Sequence, residues 1–136
     1  LEISPDSTSG MNALGYIMLS SPKYDLNEAF KLIQAAYQVD PENPAINDSL
    51  GWAYYLKGDA ETALPYLQYA FEQYPDAEVA SHLGEVLWKL GKPEDAKAIW
   101  NEGLKQEGDI GLLKETMRRF NIPVPPRKKH PSAKTK

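Results

Sequence analysis

The chain contains no cysteine, which excludes disulfides, thiolate metal sites and cysteine nucleophiles. No apolar run approaches the roughly 20 residues needed to cross a bilayer as a helix. The opening stretch LEISPDSTSG has neither the basic nor the apolar region of a secretory signal. A phosphate-cradling glycine loop is missing, and no serine, histidine and acid fall in a nucleophile-type motif. No catalytic, cofactor-binding or metal-ligating residue is therefore assigned, and the chain is read as a non-enzyme. His82 does share a helical face with Glu78 and Glu85, at i−4 and i+3. A closed metal site needs three or four ligands, however, and the second histidine, His130, lies far off in the tail. His82 is accordingly read as a hydrogen-bonded or solvated histidine.

Charge is unevenly spread. The net charge is −4, yet residues 127–136 alone hold Arg127, Lys128, Lys129, Lys134 and Lys136. The other 126 residues carry 10 basic and 19 acidic side chains. An acidic body is a poor match for nucleic acid, whose phosphates demand a basic surface. The proline- and lysine-rich stretch 121–136, NIPVPPRKKHPSAKTK, is expected to be a disordered tail, with contact to an anionic surface as a lesser possibility.

The chain repeats itself. Leu14-Gly15, Leu50-Gly51 and Leu83-Gly84 form one series, spaced 36 and 33 residues apart. Ala29, Ala63 and Ala96 form a second, and Ala36, Ala70 and Gly103 a third. Pro41, Pro75 and Gly108 close the three units. Each unit reads as two amphipathic helices. The predicted pairs are Ser9–Leu19 with Leu26–Val39, Ala45–Leu56 with Ala60–Gln73, and Ala77–Leu90 with a helix opened by Pro93. Asp59 is the expected N-cap of the fourth helix. A helix-interior glycine costs about 1 kcal/mol against alanine, so its recurrence at one offset requires compensation. Close approach of the paired helix, through the small residues of the second and third series, supplies it. Pro65 lies past the first turn of its helix and is expected to bend it.

At the C-terminal end, Asp109–Phe120 reads as an amphipathic capping helix that covers the last apolar face. At the other end, LEISP resembles YQVDP and FEQYP, the closing turns of the later units. Residues 1–7 are therefore expected to be the end of an incomplete unit, with further units upstream. The resulting division is a helical domain over 1–120, with units at about 8–43, 44–76 and 77–108, a cap at 109–120 and the tail beyond.

The combined pattern, best seen in AINDSLGWAYYLKGDAETALPYLQYAFEQYP, resembles the tetratricopeptide repeat. The stretches NALGY, HLGEVLWKLG and ETMRRF look more narrowly like the C-terminal repeats of large proteobacterial cell-envelope lipoproteins. The resemblance implies an all-α solenoid of three helix-turn-helix units plus a capping helix. It also implies a scaffold or adaptor that binds a protein or peptide, and a periplasmic, outer-membrane-associated parent.

In that family the first helix of each unit lines a concave groove. Carried over, the groove-facing residues are Asn12, Ala13, Tyr16, Leu19 and Ser20, then Asp48, Ser49, Trp52, Tyr55 and Leu56, then Ser81, His82, Glu85, Trp88 and Lys89. The protein-binding set expected from these is Asn12, Tyr16, Asp48, Trp52, Tyr55, His82, Glu85, Trp88 and Lys89. The aromatics are its anchors, since they bring large area for little rotamer entropy. Asp48 and Glu85 should favour a partner with apolar and basic residues, and leave a carboxylate clamp doubtful. The competing reading is a structural one, in which this segment caps a longer scaffold and self-associates through its exposed N-terminal end.

Overall fold

In a computed structural model, residues 5–126 can be described. They form seven helices: α1 (Pro5–Leu19), α2 (Leu26–Val39), α3 (Pro44–Leu56), α4 (Ala60–Gln73), α5 (Ala77–Lys89), α6 (Pro93–Leu104) and α7 (Gly111–Arg119). No strand occurs among the described residues. The tail expected at 127–136 and the first four residues lie outside them. Residues 5–7, expected to end an upstream helix, instead open α1. A proline is tolerated at a first helical position, where its missing N–H costs nothing.

The helices pair as the repeat requires: α1 with α2, α3 with α4, and α5 with α6, while α7 packs beside α5 and α6. Local signals set their ends. Asn43 caps α3 by accepting from the Ala45 and Ile46 amides at 2.8 and 3.3 Å. Asp59 accepts from Thr62 N at 3.1 Å, and Asp76 from Val79 N at 2.9 Å. Each bond satisfies an otherwise orphaned amide of a first turn. α4 runs on through Pro65, which faces solvent.

The small-residue series sit where helices nearly touch. A Cβ added to Gly51 would lie 3.1 Å from the Ala63 carbonyl and 2.8 Å from Leu67 Cγ. Across the three helix pairs Ala29, Ala36, Ala63, Ala70 and Ala96 are fully buried. One core gathers Leu67, Leu83, Val86, Trp100, Leu113 and Met117, and a smaller one gathers Ile33, Leu50 and Ala53 under Phe30, Tyr37, Tyr54 and Tyr66. Through Leu113, Thr116 and Met117, α7 closes the end of the larger core.

Candidate functional site

The first helices of the units, α1, α3 and α5, present one face together, and α7 takes the position of a fourth. Between them lies a pocket of about 290 Å³. Its lining comes from Tyr16, Leu19 and Ser20 at the end of α1, Trp52 of α3, Ser81, His82 and Glu85 of α5, and Leu112, Thr116 and Arg119 of α7. Leu112, Thr116 and Arg119 recur four and three apart, and Ser81 and His82 lie four and three before Glu85, the spacing that puts helical side chains on one face.

His82 forms the floor and is buried. Its Nδ1 lies 2.9 Å from Asp48 Oδ1, and its Nε2 lies 3.2 Å from the Tyr16 hydroxyl. Tyr16 in turn donates to Glu78 Oε2. The Trp52 ring stacks on His82 with centroids 4.1 Å apart and planes at 23°. Tyr55 stacks on the other side of the cluster, 5.0 Å from Trp52, and donates to Glu85 Oε2 at 2.9 Å. Arg119 Nη2 donates to the other Glu85 oxygen at 2.8 Å, and Ser81 and Thr116 hydroxyls meet at 2.7 Å. These last two bonds fasten α7 to α5 across the pocket.

The environment shifts the titrating groups. Burial and the hydrogen bond to Glu78, with the charges of Glu78, Asp48 and Asp76, hold the Tyr16 hydroxyl well above its usual range. Burial and the bond to Glu85 do the same for Tyr55. Burial pulls His82 down, but the charge and hydrogen bond of Asp48, with the charges of Glu78 and Glu85, outweigh it and leave His82 raised. The bond to Glu85 raises Arg119 further.

Of the residues expected to form the binding set, Tyr16, Trp52, His82 and Glu85 meet at the pocket, with Asp48 and Tyr55 directly behind them. Two expectations need correction. Asp48 and Glu85 are not free acidic groups: both are buried, and each is occupied by a partner from another helix. The charge that reaches the surface is Arg119, whose side chain is 52% exposed. Trp88 does not join the cluster. It stacks on Trp100 at 5.8 Å and packs on Phe120 at 5.4 Å, so it serves the seam with α6 and the end of α7. His82 follows the hydrogen-bonded branch of its reading, since both ring nitrogens face protein oxygens.

Asn12 and Lys89 are not pocket residues: Asn12 is half-buried on α1 with its Oδ1 enclosed and unbonded, and Lys89 is exposed at the end of α5. Sequence reasoning missed Leu112, Thr116 and Arg119. The signal was present, because α7 arrives where a fourth first-helix is due, but its lack of the Leu-Gly pair hid the correspondence.

Helix pairing, repeat spacing and pocket position together define a tetratricopeptide-repeat solenoid. Residues 54–113 match the family model described as tetratricopeptide repeat. Over 82 residues, 60% of the chain, it is 45% identical to the TPR repeat-containing protein PA4667 of Pseudomonas aeruginosa; this stretch spans 14% of that protein's length. Among solved structures it resembles the Yersinia enterocolitica type III secretion translocator chaperone SycD, with TM-score 0.69, 21% identity, and 87% and 81% of the two chains covered. PcrH, solved in complex with the chaperone binding region of PopD, matches with TM-score 0.69 and 21% identity over 85% of this chain and 90% of that one. The Sgt2 TPR domain of Aspergillus fumigatus matches with TM-score 0.67 and 20% identity over 96% and 94%. At these identities the structural likeness is one of fold. The described residues thus have the tetratricopeptide-repeat fold, and residues 54–113 carry the repeat itself.

Proposed function

We propose that this chain is a non-catalytic adaptor that holds a peptide or protein segment along the concave groove of its first helices. The observation that carries this reading is the pocket between α1, α3, α5 and α7, which offers the Trp52 ring beside Leu19 and Leu112. Its volume of about 290 Å³ suits one large apolar side chain rather than a cofactor. The half-exposed Arg119 at the same pocket favours a carboxylate beside that side chain, in place of the basic partner expected from Asp48 and Glu85. That related folds are solved with a bound partner segment is consistent with this use. Peptides selected on the immobilised protein from a random library test it. Their titration should move the amide resonances around Tyr16, Trp52, Leu112 and Arg119; movement confined to α2, α4 and α6 would place binding elsewhere and refute the assignment.

A second reading has its own observation. On α1, Leu14 is 51% and Ile17 63% exposed, an apolar pair with no cover among the described residues. Pairing of two copies through α1 would bury them. Sedimentation over a concentration range, with Ile17→Asp as control, separates this from a strict monomer.

A further inference from the structure

The rings that shape the pocket hang on a chain of hydrogen bonds that crosses three units. It runs from Glu78 through Tyr16 and His82 to Asp48, joining α5 to α1, back to α5 and on to α3. The backbones of α1 and α5 do not come into contact among the described residues, so side chains make this link.

Counting protons along the chain fixes the state of the imidazole. A tyrosine has one hydroxyl proton, and here the Glu78 carboxylate takes it. The Tyr16 oxygen can then face His82 Nε2 only as an acceptor, so Nε2 must carry hydrogen. Asp48 Oδ1, 2.9 Å from Nδ1, is likewise an acceptor, so Nδ1 must carry hydrogen too. A neutral ring satisfies one of the two contacts and sets a lone pair against an oxygen in the other. The doubly protonated ring satisfies both. The stacked Trp52 face, 4.1 Å away, adds the attraction of a π-face for a cation.

The charges around the ring agree. Asp48 faces it from α3, Glu78 and Glu85 from its own helix, and Tyr16, from α1, holds its proton far above neutral pH. Asp76, the cap of α5, lies close enough to act on Tyr16. The cation nearest on α7, Arg119, is bound to Glu85.

We propose that a proton held on His82 sets the width of the groove: the charged ring ties α1 to α3 and α5, and its loss leaves Tyr16 held by Glu78 alone and lets the first unit swing more widely from the third. The inference rests on the groove reading only for its consequence, a partner site that loosens in base. Its test needs no partner, so the two can fail separately.

Two measurements on the whole chain decide it. Long-range nitrogen–proton spectra of the His82 ring should show both nitrogens protonated at pH 8, where an ordinary histidine, with a pKa near 6.5, is about 97% neutral. A neutral tautomer at that pH would overturn the proposal. Because the chain has no cysteine, Ala13→Cys and Lys89→Cys can carry a pair of spin labels on exposed sites of α1 and α5. Their separation should lengthen or broaden as pH rises through the observed His82 titration. With Tyr16→Phe added, the broad distribution should already be present at pH 6 and should not respond to pH. Labels that stay fixed while the spectra show His82 losing its proton would overturn the proposal, and this outcome needs no variant of the network to fold.

Discussion

Trp100 of α6 lies directly beneath Gly84 of α5, so close that a Cβ built on Gly84 would fall 2.0 Å from the indole Nε1. The whole indole is buried there, with its N–H 3.5 Å from the Ser81 carbonyl. Large ring and absent side chain are one device: the glycine weakens its helix, and the ring fills the room it leaves.

Gly84→Ala should therefore destabilise the protein by about 1–3 kcal/mol, the usual cost of forcing extra volume into a packed core. Gly10 provides the contrast, because it also lies in a helix but nothing stands within 4 Å of its added Cβ. Gly10→Ala should stabilise by about 0.5–1 kcal/mol through helix propensity alone. Urea unfolding of both variants measures the difference, and equal effects would show that packing does not explain the repeated glycine.

Most of the fold was legible because each repeat states it separately. Leu50-Gly51 alone is weak evidence, but the same pair at Leu14-Gly15 and Leu83-Gly84 ties the chain to a period, and the helix ends then follow within a few residues. The site was less legible, for a physical reason. Repeat spacing tells which face a residue occupies but not what reaches it from another helix. Asp48 and Glu85 look like free acids in the sequence, and only folding brings His82 and Arg119 to them from 34 residues away. Trp88 sits at a groove position by count, yet Phe120, at the end of α7, and Trp100 hold it against the core.

The bond between Arg119 and Glu85 predicts how firmly the cap is held. Glu85 is 9% exposed on its side chain, and Tyr55 is its other donor. Arg119→Ala should cost about 1.5–3 kcal/mol, as expected when a largely enclosed carboxylate loses a charge-assisted partner. Glu85→Gln keeps an acceptor for Tyr55 and should cost less. Hydrogen exchange should show the loss first in α7, and protection of α7 unchanged in Arg119→Ala would mean that its apolar contacts alone hold it.

The raised His82 implies a stability that depends on pH in a definite direction. Its proton is bound more tightly in the folded chain than in the unfolded one, where histidine has a pKa near 6.5. The stabilisation is complete below about pH 6.5 and is lost as pH rises from there through the folded-state value. Unfolding free energies measured from pH 5.5 to 9.5 should thus fall more steeply in the wild type than in His82→Gln. Parallel curves would show that His82 titrates alike in both states.

Trp52 and Trp88 stand at groove positions by count, one and four residues after the glycines of successive units, yet the structure gives them opposite duties, and paired substitutions can separate these. Trp88 is wedged against Trp100 and Phe120, with Leu90 and Leu104 in the same cluster. Trp88→Ala should cost about 3 kcal/mol, the lower end of the range for truncating a packed tryptophan. Trp52 touches chiefly His82 and Tyr55 and turns its remaining surface to the pocket. Trp52→Ala should cost less stability but weaken a selected peptide at least tenfold, about 1.4 kcal/mol, as loss of an aromatic anchor does. Trp88→Ala, assayed well below its melting point, should bind that peptide nearly as well as wild type. Calorimetric titration of both variants measures these affinities, and a binding loss confined to Trp88→Ala would move the partner from the pocket to the seam beneath α7.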